Sequence, residues 1–293
     1  MEPILKPSIN PDINPIINPY TYAYGLDIDF DNVITCISKR LINRNYTGYC
    51  MQVIRASDSQ TKDIEFVNGL VDQDTLEEFC AGTDGYVNIM YDQAGNYNWS
   101  QSNSANRPLI VSSGTMNTNF IYFDGAADPN GDVLENNDNI LSEFGLKFTS
   151  YFRINPDASP NNWNVVYTLK QAAGTGFWCE QNAAEAYGYT FNANCATSDK
   201  YTALKKAGIN TANQTYTFTR NDTVAKGFYD GVLYETDSAF AEGNVDQGGT
   251  LSQIGNDFLS GSGAYKGYLS EFILFNLDID QETINRLHDN TDF

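Results

Sequence analysis

The chain has one histidine, no closely spaced cysteine pair, no long apolar run and few basic residues, and each shortage removes a class of function. His288, the single histidine, lies near the C-terminus in INRLHDN, which argues against a Ser/His/Asp triad, a Cys/His dyad or a histidine-built metal centre. Five cysteines (Cys36, Cys50, Cys80, Cys179 and Cys195) form an odd, widely spaced set without a CxxC pair, so they are expected to be reduced and mostly buried rather than zinc-bound or disulfide-bonded. No run approaches the roughly 18 apolar residues of a membrane span, and no basic-then-apolar leader opens the sequence, so neither a membrane segment nor a secretion signal is expected. Lys and Arg total 17 against 37 Asp and Glu, a net charge of −20, which opposes DNA, RNA and anionic membranes as partners. A basic target, a divalent cation or a neutral sugar remains, and any hydrolytic chemistry has to come from carboxylates.

Of the residues present, 41% are apolar and 13% aromatic, ample for a packed core in a chain of this length. Five of the nine prolines, Pro3, Pro7, Pro11, Pro15 and Pro19, recur every fourth residue in MEPILKPSINPDINPIINPY, and Leu5, Ile9, Ile13 and Ile17 keep the same interval. Proline at that spacing excludes a helix and favours extended or turn geometry, while a regular apolar residue is more than a flexible linker needs. Residues 1–21 are therefore expected to form an extended anchoring arm that lies along another protein through those four side chains.

From about Tyr22 the texture changes to short β-type runs separated by Gly, Asn, Asp and Ser, as in YVNIMYDQAGN and QTYTFTRNDTVAKGFYDGVLYET, the pattern of an all-β domain. Two stretches read as helices: DQDTLEEFCAG, with an Asp at its start and Gly82 past its end, and DIDQETINRLHDN, with Asp280 as N-cap. Asp230-Gly231 between β-type runs signals a tight hairpin. Sandwiches of this kind run past 200 residues as one unit, so residues 22–293 are expected to be one domain.

Two regions carry a family likeness. Residues 37–102 contain, in order, Tyr46-Thr47-Gly48, the R-x-S-D of Arg55 to Asp58, a helix ending Phe79-Cys80, and Tyr91-Asp92-Gln93-x-Gly95-Asn96; this set resembles the N-terminal part of the arabinofuranosidase B catalytic domain. The second, GFYDGVLYET followed by the GYLSEFILF strand and a final helix, is similar to the closing strands of laminin-G-like and concanavalin-like jelly rolls. The resemblance implies an all-β jelly-roll sandwich with two short helices, preceded by the proline-repeat arm.

It also implies where chemistry would sit. Enzymes of the family use two carboxylates, a nucleophile and a general acid, facing each other about 5 Å apart. Gly255-Asn256-Asp257 stands where they have Gly-Gly-Asp, which makes Asp257 the general-acid candidate, and Glu180 or Glu185 in GFWCEQNAAEAYGY is a loose match to the nucleophile. Val165-Val166 replaces their adjacent cysteine pair under the sugar. A lone Asp in a Gly- and Ser-rich loop is commonly a turn residue, so no catalytic residue is expected to be retained. In MYDQAGNYNW, Asp92, Gln93, Asn96 and Trp99 are candidates for holding a sugar ring; the competing and favoured expectation is that they close a turn. Trp163, Trp178 and AYGYTF are expected to belong to the core or to a ligand platform. The loop FDGAADPNGD, with Asp124, Asp128 and Asp132, lacks EF-hand spacing; no metal or cofactor is expected, with calcium as the open alternative.

Taken with the resemblance of non-catalytic modules of this type to those on tailed-bacteriophage particles, these features lead to the expectation of a virion structural protein, in a head fibre, capsid decoration or tail. It would be made in the host bacterial cytoplasm, anchored to capsid, portal or tail proteins by its arm, able to oligomerise, and would display a sandwich suited to a host-surface glycan. The alternatives are a retaining glycoside hydrolase of arabinofuranosidase type and a free glycan-binding lectin.

Overall fold

The computed structural model describes residues 28–126, 131–157, 163–170, 176–182, 187–194, 202–207, 211–240, 251–257 and 263–289. Leu5, Ile9, Ile13 and Ile17 of the expected arm lie outside the described residues, as do Asp128, Glu185 and Cys195. In chain order the first half forms β1 (Val33–Ser38), β2 (Met51–Arg55), β3 (Thr61–Ile64), β4 (Phe66–Val67), β5 (Leu70–Val71), α1 (Gln73–Phe79), β6 (Gly85–Met90), β7 (Trp99–Ser100), β8 (Leu109–Ser112), β9 (Thr115–Met116), β10 (Ile121–Asp124) and β11 (Leu134–Asn136). The second half forms β12 (Lys147–Pro156), β13 (Trp163–Lys170), β14 (Gly176–Asn182), β15 (Tyr187–Asn194), β16 (Thr202–Ala207), β17 (Gln214–Asn221), β18 (Val224–Tyr229), β19 (Val232–Asp237), β20 (Ser252–Ile254), β21 (Asn256–Asp257), β22 (Gly263–Ala264), β23 (Lys266–Phe275) and α2 (Gln281–Asp289).

Pairing is antiparallel throughout, and the sheet forks at β6. The end of β6 pairs with β7, Met90 opposite Trp99, while its start pairs with β8, Gly85 opposite Val111. One branch continues through β11, β20, β13, β14, β15 and β16. The other runs through β10, β23, β12, β17, β18 and β19, with β1 beside the second half of β23. The two branches face each other as the layers of a β-sandwich, as the alternating β-type runs predict.

Aromatic rings from both layers fill the space between them. Phe148 stacks on Phe177 with centroids 4.6 Å apart, Phe191 on Phe218 at 4.9 Å, and Phe152 on Tyr216 at 5.4 Å; each ring buries a large apolar area in an interlayer about 10 Å thick. β23 reads as a nearly unbroken apolar run because both its faces are covered. Phe272 and Leu274 point into the interlayer core, and Ile273 and Phe275 into a second cluster beneath Ile284 and Leu287 of α2.

The local signals account for the punctuation. Asp72 caps α1 by accepting from the Thr75 amide at 3.1 Å, and Asp280 accepts from the Thr283 amide at 2.8 Å at the start of α2. Asp230 and Gly231, both left-handed at φ 47° and 74°, turn β18 directly into β19, as a two-residue hairpin of this twist requires. Cys36, Cys50, Cys80 and Cys179 are buried free thiols.

Candidate functional site

The D-Q-x-G-N stretch after β6 is engaged inside the protein. Asp92 is buried and its carboxylate accepts four backbone amides, those of Cys36 at 2.6 Å, Tyr97 at 2.8 Å, and Ala94 and Asn96 at 2.9 Å. Burial pushes its pKa up in spite of those four donors, which pull the other way. Gln93 accepts from the amides of Ile42 and Asn43 and donates to the Arg40 carbonyl. Asn96 donates to the Ile34 carbonyl, and fully buried Trp99 donates its indole N–H to Thr35 Oγ1 at 3.1 Å. The motif thus ties the loop after β6 to β1 and the segment that follows it.

The residues with chemical potential gather on the outer face of the β11–β20–β13–β14–β15 layer. Tyr167, Leu169, Phe177, Cys179, Phe191 and Ile254 point into the core, so the intervening positions face outward. Strand register then sets one row across five strands: Glu135 opposite Gln253, Gln253 opposite Thr168, Thr168 opposite Trp178, and Trp178 opposite Asn192. Gln253 donates to Glu135 Oε1 at 2.8 Å. In the adjacent register Glu180 lies between Val165 and Thr190, and its Oε1 accepts from Asn192 Nδ2 at 3.0 Å. Thr168 Oγ1 is buried with no hydrogen-bond partner among the described residues, an exception to the rule that buried hydroxyls are satisfied. Trp178 belongs to this face, while Tyr189 of the AYGYTF stretch is core.

On the other side of β13, the Gly255 amide donates to the Val166 carbonyl at 2.8 Å, leading directly into β21 with Asn256 and Asp257. Gly255 has φ 94°, and a Cβ there would run into the Phe123 ring and the Asp132 carbonyl, so the first glycine of the Gly-Asn-Asp stretch is required by both strain and space. Asp257 pairs with Gly263, and Asn256, buried, with Ala264. A bulge between Val165 and Tyr167 kinks β13 between the Glu180 side and the Gly255 side. Val165 and Val166, where the family resemblance implies a cysteine pair, are therefore bracketed by the two segments that the resemblance implies as catalytic.

Asp132, behind Gly255, has its pKa pushed up to about 7 by burial and by the neighbouring Asp124 charge, partly opposed by the Asp124 amide that it accepts. Asp124 in turn accepts the amides of Ala126 and Asp132. Their carboxylates thus serve the backbone of the loop, and among the described residues no group of three or more His, Cys, Asp or Glu side chains is placed to hold a metal ion. No described helix is long and apolar enough to cross a membrane. Thr168, Gln253, Asn192 and Glu135 were not legible as neighbours in sequence; only the strand order 11–20–13–14–15 joins them.

Residues 33–129 match the family described as alpha-L-arabinofuranosidase B, catalytic. No curated protein matches the chain. Among solved structures, a GH54 α-L-arabinofuranosidase soaked with a cyclic sulfate inhibitor superposes with TM-score 0.60 over 89% of this chain and 63% of its own, at 14% identity. An arabinofuranosidase complexed with arabinofuranosyl-α-1,2-xylobiose gives 0.54 over 89% and 62%, also at 14% identity. The receptor-binding domain of a botulinum neurotoxin C/D mosaic serotype gives 0.50 over 90% and 52%, at 13% identity. The chain thus spans under two thirds of the length of these arabinofuranosidases, and at such identity the likeness is one of fold. These findings correct the expectation of a non-catalytic virion component: the recognised sequence region is a catalytic-domain pattern, and the arabinofuranosidase likeness extends over most of the chain. The chain carries the sequence pattern of the arabinofuranosidase B catalytic domain over residues 33–129, on a sandwich similar to that of GH54 arabinofuranosidases.

Proposed function

We propose that the chain is a retaining glycoside hydrolase of arabinofuranosidase type, with Glu180 as nucleophile and Asp257 as general acid. The observation that supports this reading is their placement: Glu180 on β14 and the Gly255–Asp257 segment flank β13 at Val165 and Val166. Backbones on the two sides of one strand stand roughly 10 Å apart, a spacing that the combined length of a glutamate and an aspartate side chain can bring to the roughly 5 Å of a retaining pair. Val165 is the β13 residue opposite Glu180, and Asn192 donates to Glu180 Oε1. The row of Glu135, Gln253, Thr168 and Trp178 supplies hydroxyl partners and a ring beside the bond to be cut.

In the first step a Glu180 carboxylate oxygen attacks the anomeric carbon while Asp257 gives its proton to the departing glycosidic oxygen. In the second, Asp257 takes a proton from water as that water displaces Glu180, which restores both groups. The test is release of nitrophenol from 4-nitrophenyl α-L-arabinofuranoside by the full chain. On an alkyl α-L-arabinofuranoside, whose leaving oxygen needs a proton, Glu180→Gln and Asp257→Asn are each expected to lower kcat/KM by a factor of about 100 to 10,000, and azide is expected to restore part of the nitrophenol release in a Glu180→Ala variant. No release by the wild type, or release unchanged in both variants, would remove this assignment.

A further inference from the structure

The Tyr46-Thr47-Gly48 stretch and the loop that follows build a second concavity that the proposed hydrolytic site does not use. A surface cavity of about 330 Å³ is lined by Tyr46, Thr47, Gly48, Tyr49, Glu65 and Phe66, among others, a size at the lower end of small-ligand sites. Tyr46 and Phe66 meet edge to face at 80° with centroids 6.3 Å apart, and Tyr49 lies against Tyr91 at 6.1 Å. Tyr49 is 42% exposed, so its ring is open to a ligand at the cavity. The rings are fixed before any ligand arrives. Tyr46 donates its hydroxyl to the Tyr49 carbonyl at 2.9 Å, Tyr91 donates to Asp63 Oδ1 at 2.7 Å, and a Cβ at Gly48 would run into the Tyr46 ring. Partial burial raises the Tyr46 phenol to about 12, so the ring is neutral throughout the physiological range.

From this lining we infer a binding site for one residue of a neutral saccharide, separate from Glu180 and Asp257. The ring faces suit the C–H face of a sugar, the exposed Glu65 carboxylate accepts hydroxyl hydrogens, and the Thr47 hydroxyl gives or accepts one more. No lining residue is cationic, and the net charge of −20 disfavours acidic sugars. A preformed cleft avoids the ordering cost that weakens binding by mobile loops. Along the sheet β2, which follows this loop, is separated from β14 by β6, β7, β11, β20 and β13, a path of roughly 25–30 Å.

The experiment is calorimetric titration of the full chain, in a Glu180→Gln background that suppresses turnover, with neutral arabinosyl, xylosyl and glucosyl oligosaccharides. Oligogalacturonate serves as the acidic control and choline as the cationic one. At least one neutral oligosaccharide is expected to bind, and Tyr49→Ala and Glu65→Gln, both at exposed positions that leave the fold intact, are each expected to weaken it at least tenfold while hydrolysis of the nitrophenyl substrate by the corresponding single variants is unchanged. No neutral sugar bound at millimolar concentration, binding indifferent to both substitutions, or preference for choline or galacturonate would overturn the inference. Sugar binding that depends on Tyr49 in a protein with no hydrolytic rate would uphold it while removing the hydrolytic assignment.

Discussion

Asp92 illustrates what one buried carboxylate does in this protein. Four amides converge on it from two parts of the chain, and a buried amide left without an acceptor costs about 1–3 kcal/mol. Asp92→Ala is therefore expected to lower stability by at least about 3 kcal/mol, read as a drop in the urea midpoint, and Asp92→Asn by less, because one carbonyl oxygen is kept. Glu271 is another such group. It lies buried between Arg40 and Arg153, bonded to Arg40 and to the Tyr151 hydroxyl, while Arg40 and Tyr151 also reach the Leu287 carbonyl at the end of α2. Breaking such a buried set from one side costs about 3–5 kcal/mol, the loss expected for Glu271→Ala in the same measurement. Glu271 could not be told from a surface acid in the sequence, because its partners come from elements far away along the chain.

At the scale of elements, the closing hairpin and helix form one unit. Gln281 of α2 donates to the Gly231 carbonyl at 2.8 Å, and His288 Nδ1 lies 3.1 Å from Thr215 Oγ1, whose backbone amide donates to Asp230. The hairpin turn is thus also a docking point for the helix. Gly231→Ala is expected to cost about 1–2 kcal/mol from the left-handed backbone alone, and Asp280→Ala about 1 kcal/mol from the lost cap. Because the two sites share α2, their double variant is expected to fall short of the sum, as a denaturation cycle would show. The caps and the Asp-Gly turn were legible because each is a short-range signal: the side chain or the φ requirement acts within three residues.

For the whole molecule, two opposed carboxyls illustrate how stability depends on pH. Burial and Asp124 raise Asp132 to about 7, so the fold gains from its protonation. That contribution is full below the ordinary aspartate range and is lost as pH rises through about 7. Burial alone would raise Glu271, but Arg40 and Arg153 hold it below the usual glutamate range, so its contribution is present above that range and is lost as pH falls through the lowered value. Stability is expected to peak in mildly acidic solution. Asp132→Asn should flatten the decline between about pH 4 and 7 while leaving the acid limb in place; an unchanged decline in urea titrations over that window would assign it to other groups.

What the sequence by itself determined is whatever depends on neighbours along the chain: alternating runs that must pair as strands, two capped helices, a left-handed turn, and an ordered set of motifs over residues 37–102 that marks a family likeness. Even the glycine before Asn256 was visible as a match before its reason was known. Only the tertiary structure decided which face each residue serves. Trp99 and Asp92, which suit a sugar on composition, are turned inward to β1, whereas Thr168, Gln253 and Asn192, which carry no motif, are set in a row beside Glu180 by register. The reason is that β register and the bulge at Val165 are fixed by long-range pairing: a shift of one residue would exchange core and outer face, and no local pattern in a strand buried on both sides records which way it went.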